Sequence, residues 1–269
     1  SYNAARSDFE NEMAEHYGIS HFEETGVKYQ IEFFILKDEV TLMIDTSGIP
    51  LHKRGYRKES NAAPIRETLA AAIAKTPRPR EDVLFWDPMC GSGTIAIEAA
   101  MMMRNIAPGL KRSFAAESFR QIDDSVWSEA REWAAEDIIR DSRFEAWGSH
   151  IDDDVLKIAR YSAKRAGVAD AIKFFHADAT EIKKPDRRGT IVCNPPYGER
   201  LMTPEEAAEL YREMGRVFAG FAPWQIYIIT SCEDFERLYG RRADKAKKLY
   251  NGMIPCHLYE YFRPREAKK

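Results

Sequence analysis

The stretch from Leu84 to Ala100, LFWDPMCGSGTIAIEAA, admits few folds. An apolar run stops at an Asp-Pro break, a glycine-rich turn follows, and helix-forming residues come next, so the pattern predicts strand, loop and helix in succession. Gly91 and Gly93 permit backbone angles and close approaches that a side chain would block. A helix opening at about Thr94 aims its unpaired N–H groups into the turn, which suits a nucleotide-like ligand. An ordinary glycine turn in an α/β domain would use the same residues.

Two ligand classes compete for this turn. Gly91-Ser92-Gly93-Thr94-Ile95-Ala96 fits the dinucleotide pattern G-x-G-x-x-A, with Glu117 at a tolerable distance for the ribose role. Asp87 argues for the other class. On the last residue of the strand it would oppose a pyrophosphate with like charge, yet it suits a ligand carrying an ammonium group, as S-adenosylmethionine does.

A second stretch, Thr190 to Leu201, reads TIVCNPPYGERL. Its β-branched strand ends at Asn194-Pro195-Pro196-Tyr197, because two consecutive prolines cannot continue a ladder. DPMCGSGT followed further on by NPPY resembles the class I methyltransferases that act on exocyclic amino groups. More specifically, DPMCGSGTIAIEAA, the APGLKR of Ala107–Arg112 and NPPYGERL together resemble the THUMP-domain family acting on guanine-N2 of large-subunit ribosomal RNA. The resemblance covers nearly all of residues 45–262.

That resemblance implies an α/β fold: a Rossmann-like class I methyltransferase with a seven-stranded mixed sheet, a C-terminal antiparallel hairpin and a small N-terminal β-rich remnant. It divides the chain into a partial THUMP-like segment (1–47), a linker (48–62) and a methyltransferase domain (63–269) with a helical insertion at about 107–143. An RNA-binding THUMP domain precedes the catalytic part in that family and is mostly absent here. A start at Ser1 instead of methionine is expected of a fragment, and a tag remnant or processing would give the same start.

The implied catalytic group is Asn194, Pro195, Pro196 and Tyr197. An exocyclic amine is a poor nucleophile, since its lone pair is delocalised into the ring. Hydrogen bonds from it to the Asn194 side-chain oxygen and the Pro195 carbonyl would favour a pyramidal nitrogen aimed at the methyl group. Tyr197 can stack on the base, a contact of about 1–3 kcal/mol. The donor is an activated sulfonium, so neither a metal nor a covalent nucleophile is expected. The cofactor set comprises Pro64, Asp87, Met89, Cys90, Gly91, Gly93, Thr94, His150, Asp152, Asp178, Ala179 and Asn194. Pro64 to Glu67 would border the methionine end, or their helix would simply cover the sheet. The family ends its second catalytic-domain strand with an acidic residue for the ribose; here His150 stands there, with Asp152 two residues on. Asp178 would accept from the adenine amino group, with the Ala179 N–H opposite a ring nitrogen, or would simply cap the following turn. S-adenosylhomocysteine is the implied product.

Composition narrows the partners. The net charge of −3 and pI near 6.1 are unusual for a nucleic-acid binder, so full RNA affinity is expected to need the missing N-terminal part. Basic clusters at His52–Arg54, Arg57-Lys58, Lys111-Arg112 and Arg241–Lys248 are candidate phosphate contacts or solvated surface. No apolar run reaches the roughly 20 residues that span a bilayer and no signal pattern opens the chain, so a cytoplasmic protein without membrane contact is expected. Cys90, Cys193, Cys232 and Cys256 lack C-x-x-C spacing and read as buried free thiols; Cys193, between strand residues and Asn194, reads as core, not as a nucleophile.

Elsewhere, the pattern predicts a helix within 8–16, a hairpin of Val27–Leu36 and Val40–Asp45, and helices at Ala63–Ile73, Thr94–Asn105, Asp152–Ala166 and Pro204–Phe218. Val126, Ala130, Trp133, Ala134 and Ile138 mark an apolar helix face within the insertion, packed on the domain edge. Strands are expected at Phe144–His150, Ile172–Ala177 with His176 turned to a structural position, and Trp224–Ser231, with a final hairpin from Lys248 to Phe262 around Asn251-Gly252. DNA adenine-N6 methylation and protein glutamine-N5 methylation use the same NPPY chemistry. A non-catalytic cofactor-binding module and a dinucleotide oxidoreductase are the rivals of other classes.

Overall fold

The computed structural model describes residues 2–18, 25–57, 65–197 and 202–262. The chain forms two compact units, one of residues 1–48 with 114–122, the other of residues 49–113 with 123–269.

The larger unit is built on a seven-stranded sheet. Its strands are β3 (Leu84–Asp87), β4 (Ala146–His150), β5 (Ile172–His176), β6 (Gly189–Cys193), β7 (Gln225–Thr230), β8 (Lys245–Asn251) and β9 (Ile254–Tyr261), in the order β5-β4-β3-β6-β7-β9-β8. The first five run parallel and the last two form an antiparallel hairpin on the edge of β7. Period-two alternation divides two cores between the sheet faces. Phe85, Val192, Tyr227 and Ile229 join one core with Ile73 of α2 (Glu67–Lys75), Ile95 and Ile97 of α3 (Thr94–Met103) and Ala163 of α5 (Asp153–Ala166). Leu84, Trp86, Ile191, Cys193, Ile226 and Ile228 join the other with Tyr211, Met214 and Phe218 of α6 (Pro204–Ala219) and Phe235 of α7 (Phe235–Tyr239). Buried on both faces, these strands read as apolar runs, which is why they were legible in sequence.

Helix ends fix the connections. Asp152 caps α5 through hydrogen bonds from the N–H groups of Asp154 (2.8 Å) and Val155 (3.3 Å), and left-handed Gly167 stops it. Thr203 and Glu206 form a capping box ahead of α6, with Pro204 at its first turn.

In the smaller unit, α1 (Tyr2–Tyr17) precedes the ribbon of β1 (Gln30–Leu36) and β2 (Glu39–Asp45). Lys37 and Asp38 take positive φ (51° and 64°) in its two-residue turn. Both strands are exposed almost throughout, with Phe33, Phe34, Ile35 and Leu42 each at least 48% accessible. A two-stranded ribbon of this kind is at best marginally stable alone.

The insertion differs from the expected single helical piece. Residues 114–122 belong to the smaller unit: Ala115 and Ala116 donate to the carbonyls of Ser47 (3.3 Å) and Thr46 (3.1 Å), and Phe119 stacks on Tyr29 at 4.5 Å. The helix α4 (Asp124–Glu136) follows in the larger unit and buries none of its residues; Val126 is 53% and Trp133 67% exposed. Its apolar periodicity does not mark a buried face. His176 is likewise exposed at the end of the edge strand β5, with Nδ1 3.6 Å from Asp153 Oδ2. Cys90, Cys193 and Cys256 are buried free thiols, and Cys232 is half-buried.

Candidate active site

The strand order reverses between β3 and β6, which face each other in parallel through Leu84↔Gly189, Phe85↔Thr190 and Trp86↔Ile191. Open α/β sheets bind ligands outside the carboxyl ends of the strands at such a reversal. The glycine turn leaves β3 there and Asn194-Pro195-Pro196-Tyr197 leaves β6 there, so two segments distant in sequence share one edge.

Asp87 closes β3 and is 1% exposed. Burial raises its pKa from 3.8 to about 8, opposed by the Met89 N–H, which donates to Oδ1 at 3.2 Å. The turn is tied down by Cys90 N–H to the Ser149 carbonyl (3.0 Å) and Gly93 N–H to the Cys90 carbonyl (2.8 Å). Gly91 has φ +50°. Gly93 has φ +79° and precedes α3 directly; a Cβ there would lie 2.9 Å from Phe174 Cζ and 3.2 Å from Ala159 Cβ. Gly93→Ala therefore combines left-handed strain of about 1–2 kcal/mol with a steric clash. A melting temperature lower by at least about 3 °C is expected in thermal denaturation.

The helix after the turn is held from below by a buried ionic cluster that sequence reasoning did not place. Arg57, read in sequence as a candidate phosphate contact, donates to Thr94 Oγ1 (2.5 Å) and the Ile65 carbonyl (3.2 Å), and its Nε lies 3.6 Å from Glu67 Oε1. Glu98 accepts from Tyr56 OH at 2.9 Å and faces Arg54 Nε at 3.7 Å; burial nonetheless pushes its pKa up to about 7. Arg165 donates to the carbonyls of Tyr56 (3.0 Å) and Gly55 (2.7 Å). Lys111 and Arg112, from another expected cluster, bond backbone carbonyls of Arg165 and of Ile49 and Pro50. Arg54, Arg57 and Arg165 fasten residues 54–57 to α3 and α5, Lys111 reaches α5, and Arg112 holds residues 49 and 50. Pro64 lies outside the described residues.

His150 ends β4, half-buried. Its Nδ1 accepts from the Asp152 N–H at 3.1 Å, and burial lowers its pKa, so the neutral ring carries its proton on Nε2. The strand that ends in a carboxylate in the resembled family therefore ends here in a donor. Asp152 Oδ1 is committed to the helix cap. Asp178 follows β5 and accepts from the N–H (2.8 Å) and hydroxyl (2.7 Å) of Thr180 through one oxygen, the turn-capping geometry; Ala179 is buried behind it.

Asn194, Pro196 and Tyr197 are half-buried and Pro195 is buried. Tyr211, 1% exposed on α6, donates to the Pro196 carbonyl at 2.9 Å and meets Thr230 Oγ1 at 3.0 Å. That bond goes to Pro196, not to Pro195, whose carbonyl is the expected partner of the acceptor amine. Asn251 Nδ2 donates to the Tyr197 hydroxyl at 2.9 Å. Neither Tyr211 nor Asn251 was singled out from the sequence as a site residue.

A family model described as RMKL-like, methyltransferase domain (UPF0020) matches residues 54–260. The chain belongs to this family. It is 43% identical over 249 residues to "Putative RNA methyltransferase YpsC" of Bacillus subtilis, covering 91% of this chain and 65% of that protein. It is 40% identical over 232 residues to "Ribosomal RNA large subunit methyltransferase K/L" of Psychromonas ingrahamii, covering 84% of this chain and 31% of that one. Among solved structures, "SMU.472, a putative methyltransferase complexed with SAH" matches with 38% identity and a TM-score of 0.86, over 96% of this chain and 69% of that one. The chain thus spans just under two thirds of the first relative and about a third of the second.

The RMKL-like domain places its two motifs as the resemblance implied, on a Rossmann-like sheet with a terminal antiparallel hairpin. Among the described residues, no group of His, Cys, Asp and Glu is arranged to hold a metal, and no helix is long and apolar enough to cross a membrane.

Proposed function

We propose that this domain transfers a methyl group from S-adenosylmethionine to an exocyclic amino group of an RNA base, guanine-N2 in large-subunit ribosomal RNA. One observation carries the reading: a buried carboxylate with a glycine turn, and an Asn-Pro-Pro-Tyr strand end, stand side by side on adjacent parallel strands at the sheet's reversal. The names of the two relatives, an RNA methyltransferase and a large-subunit ribosomal RNA methyltransferase, support the substrate class. The S-adenosylhomocysteine complex of the solved relative supports the cofactor.

The residues present fit that cofactor. Asp87 offers a buried carboxyl that ionises against its ammonium group, and the turn from Cys90 to Thr94 offers a close backbone approach. His150 offers Nε2–H to a ribose hydroxyl oxygen, and Asp178, with one oxygen taken by Thr180, offers the other to the adenine amino group. When bound, the cofactor supplies an electrophilic methyl on a sulfonium. The chain's contribution is to orient the acceptor. The Asn194 side-chain oxygen and the Pro195 carbonyl accept from the base amine, drawing its lone pair out of conjugation, and the Tyr197 ring holds the base plane. Residues 1–47 are read as part of an RNA-binding THUMP-like domain, residues 48–62 as a linker and 63–269 as the catalytic domain. The doubly exposed ribbon of β1 and β2 is consistent with a segment that other chain must cover.

Nucleoside mass spectrometry of ribosomal RNA from cells with and without the gene tests this. Loss of one N2-methylguanosine from the large-subunit RNA is the expected result. An unchanged ribosomal profile with altered methyladenine in DNA, or altered methylglutamine in protein, would replace the proposed substrate.

A further inference from the structure

The terminal hairpin reaches past the edge of the sheet onto the acceptor side of the site. β7 and β9 are paired antiparallel up to Thr230↔His257, so residues 254–256 of β9 and their partners 249–251 of β8 project beyond the carboxyl end of β7. The tip is not the Asn-Gly turn the sequence suggested. Asn251 pairs with Ile254 as the last rung of the ladder, and the two-residue loop is Gly252-Met253, with the left-handed angle (φ +68°) on Gly252. Asn251 is therefore relieved of turn duty, and its side chain crosses to Tyr197, 54 residues away, with Nδ2 2.9 Å from the hydroxyl. Burial raises the pKa of Cys256, a thiol on the facing strand, and hydrogen bonding with the Asn251 backbone and with Tyr197 offsets part of that rise. The other side of the tip meets Arg66, the residue before α2, where a Cβ on Gly252 would lie 3.4 Å from Nη2.

We propose that Asn251 is a positioning residue for the acceptor base, acting through Tyr197; this rests on the methyltransferase reading above. The backbone of Tyr197 is fixed by the two prolines before it, with Tyr211 holding the Pro196 carbonyl. Its far end is fixed by Asn251. A ring held at both ends presents a face whose direction is set before any base arrives, so the orienting cost is met on folding. The hairpin thereby becomes a wall of the acceptor site and no longer only the closing edge of the sheet. An exposed aromatic that only stacked would need no such anchor.

The test is a double-mutant cycle on methyl transfer by the chain to large-subunit ribosomal RNA from cells lacking the gene. Asn251→Ala is expected to lower kcat by about tenfold or more, since small losses of reactant orientation cost rate steeply. Tyr197→Phe, which keeps the ring and removes the hydroxyl, should lose a similar factor. The double variant should be no slower than Tyr197→Phe alone, because both act through one bond. Calorimetric affinity for S-adenosylhomocysteine should stay within about twofold throughout, a readout that a general loss of structure would move. Losses that multiply in the double variant, an Asn251→Ala rate equal to that of the unchanged chain, or a parallel loss of S-adenosylhomocysteine binding would each overturn the proposal. A nucleoside profile of large-subunit ribosomal RNA that is unchanged when the gene is removed would instead sink the substrate reading, so the two failures are separable.

Discussion

Asn194→Ala is expected to cut methyl transfer by about 10²–10³-fold while affinity for S-adenosylhomocysteine stays within about threefold, the signature of an interaction made only as the reaction proceeds. The size follows from what the amide does. In the ground state an exocyclic amine is planar and gains little from one more acceptor. As the nitrogen becomes pyramidal its N–H groups gain positive character, and an oxygen fixed beside them is then worth far more than water. Asn194 is suited to this because its strand, β6, is buried along its whole length and pairs on both sides, and because the two prolines after it end the ladder sharply. Steady-state kinetics with RNA and isothermal calorimetry with S-adenosylhomocysteine check the two halves independently. Equal loss of both would move Asn194 into the cofactor's binding set and out of the chemistry. Asn194→Asp separates charge from geometry: it keeps the oxygen and adds a negative charge, so it should retain more rate than alanine if acceptance of the amine's hydrogen bond is what matters.

The central strands and the two motifs could be read from the sequence because their signals are local. β3 and β6 are apolar runs ended by Asp-Pro and Pro-Pro; β3 carries its chemistry on its last residue and β6 on the residue that follows it. Local signals failed where a role is set by a distant partner. The apolar stripe of α4 has helical spacing, yet the helix stays exposed, because periodicity reports amphipathicity and not the presence of a surface to bury it. Residues 114–122 lie within what reads as one insertion, but they bond to Thr46 and Ser47 and belong with them to the smaller unit. Arg57 stands in a basic dipeptide that suggests phosphate, and burial against Glu67 and Thr94 gives it a different task. Asn251 was claimed by the strongest short-range turn signal known, Asn-Gly, while the fold shifts the turn by one residue and frees the amide for Tyr197. In each case the missing information was long-range pairing, which one sequence without covarying relatives does not carry.

The second large effect concerns Asp87 and pH. Its folded pKa, raised by burial to about 8, stands above the value of 3.8 for the free side chain. A carboxyl raised in this direction is protonated in the ligand-free domain near neutrality. Its contribution to stability is fully present below pH 3.8 and is lost as pH rises through about 8, so the ligand-free domain should become less stable across that window. Binding has the opposite slope. An ammonium group placed against Asp87 favours the ionised carboxylate, so the proton must leave when the ligand arrives. Affinity for S-adenosylhomocysteine is therefore expected to rise by about tenfold per pH unit from pH 6 towards 8, about 100-fold in all, and then to level off. Calorimetry in buffers of different ionisation enthalpy, phosphate against Tris, should show the release of close to one proton per ligand at pH 6.5 and progressively less above pH 8. Asp87→Asn should abolish both the slope and the buffer dependence, leaving weak binding at every pH. A flat profile with no proton release in the unchanged chain would mean that Asp87 is already ionised before binding or that the ammonium group lies elsewhere. The glycine turn would then hold the nucleoside end of the ligand without this carboxylate, and the argument that separated a methyl donor from a dinucleotide on the strength of one charge would fall with it.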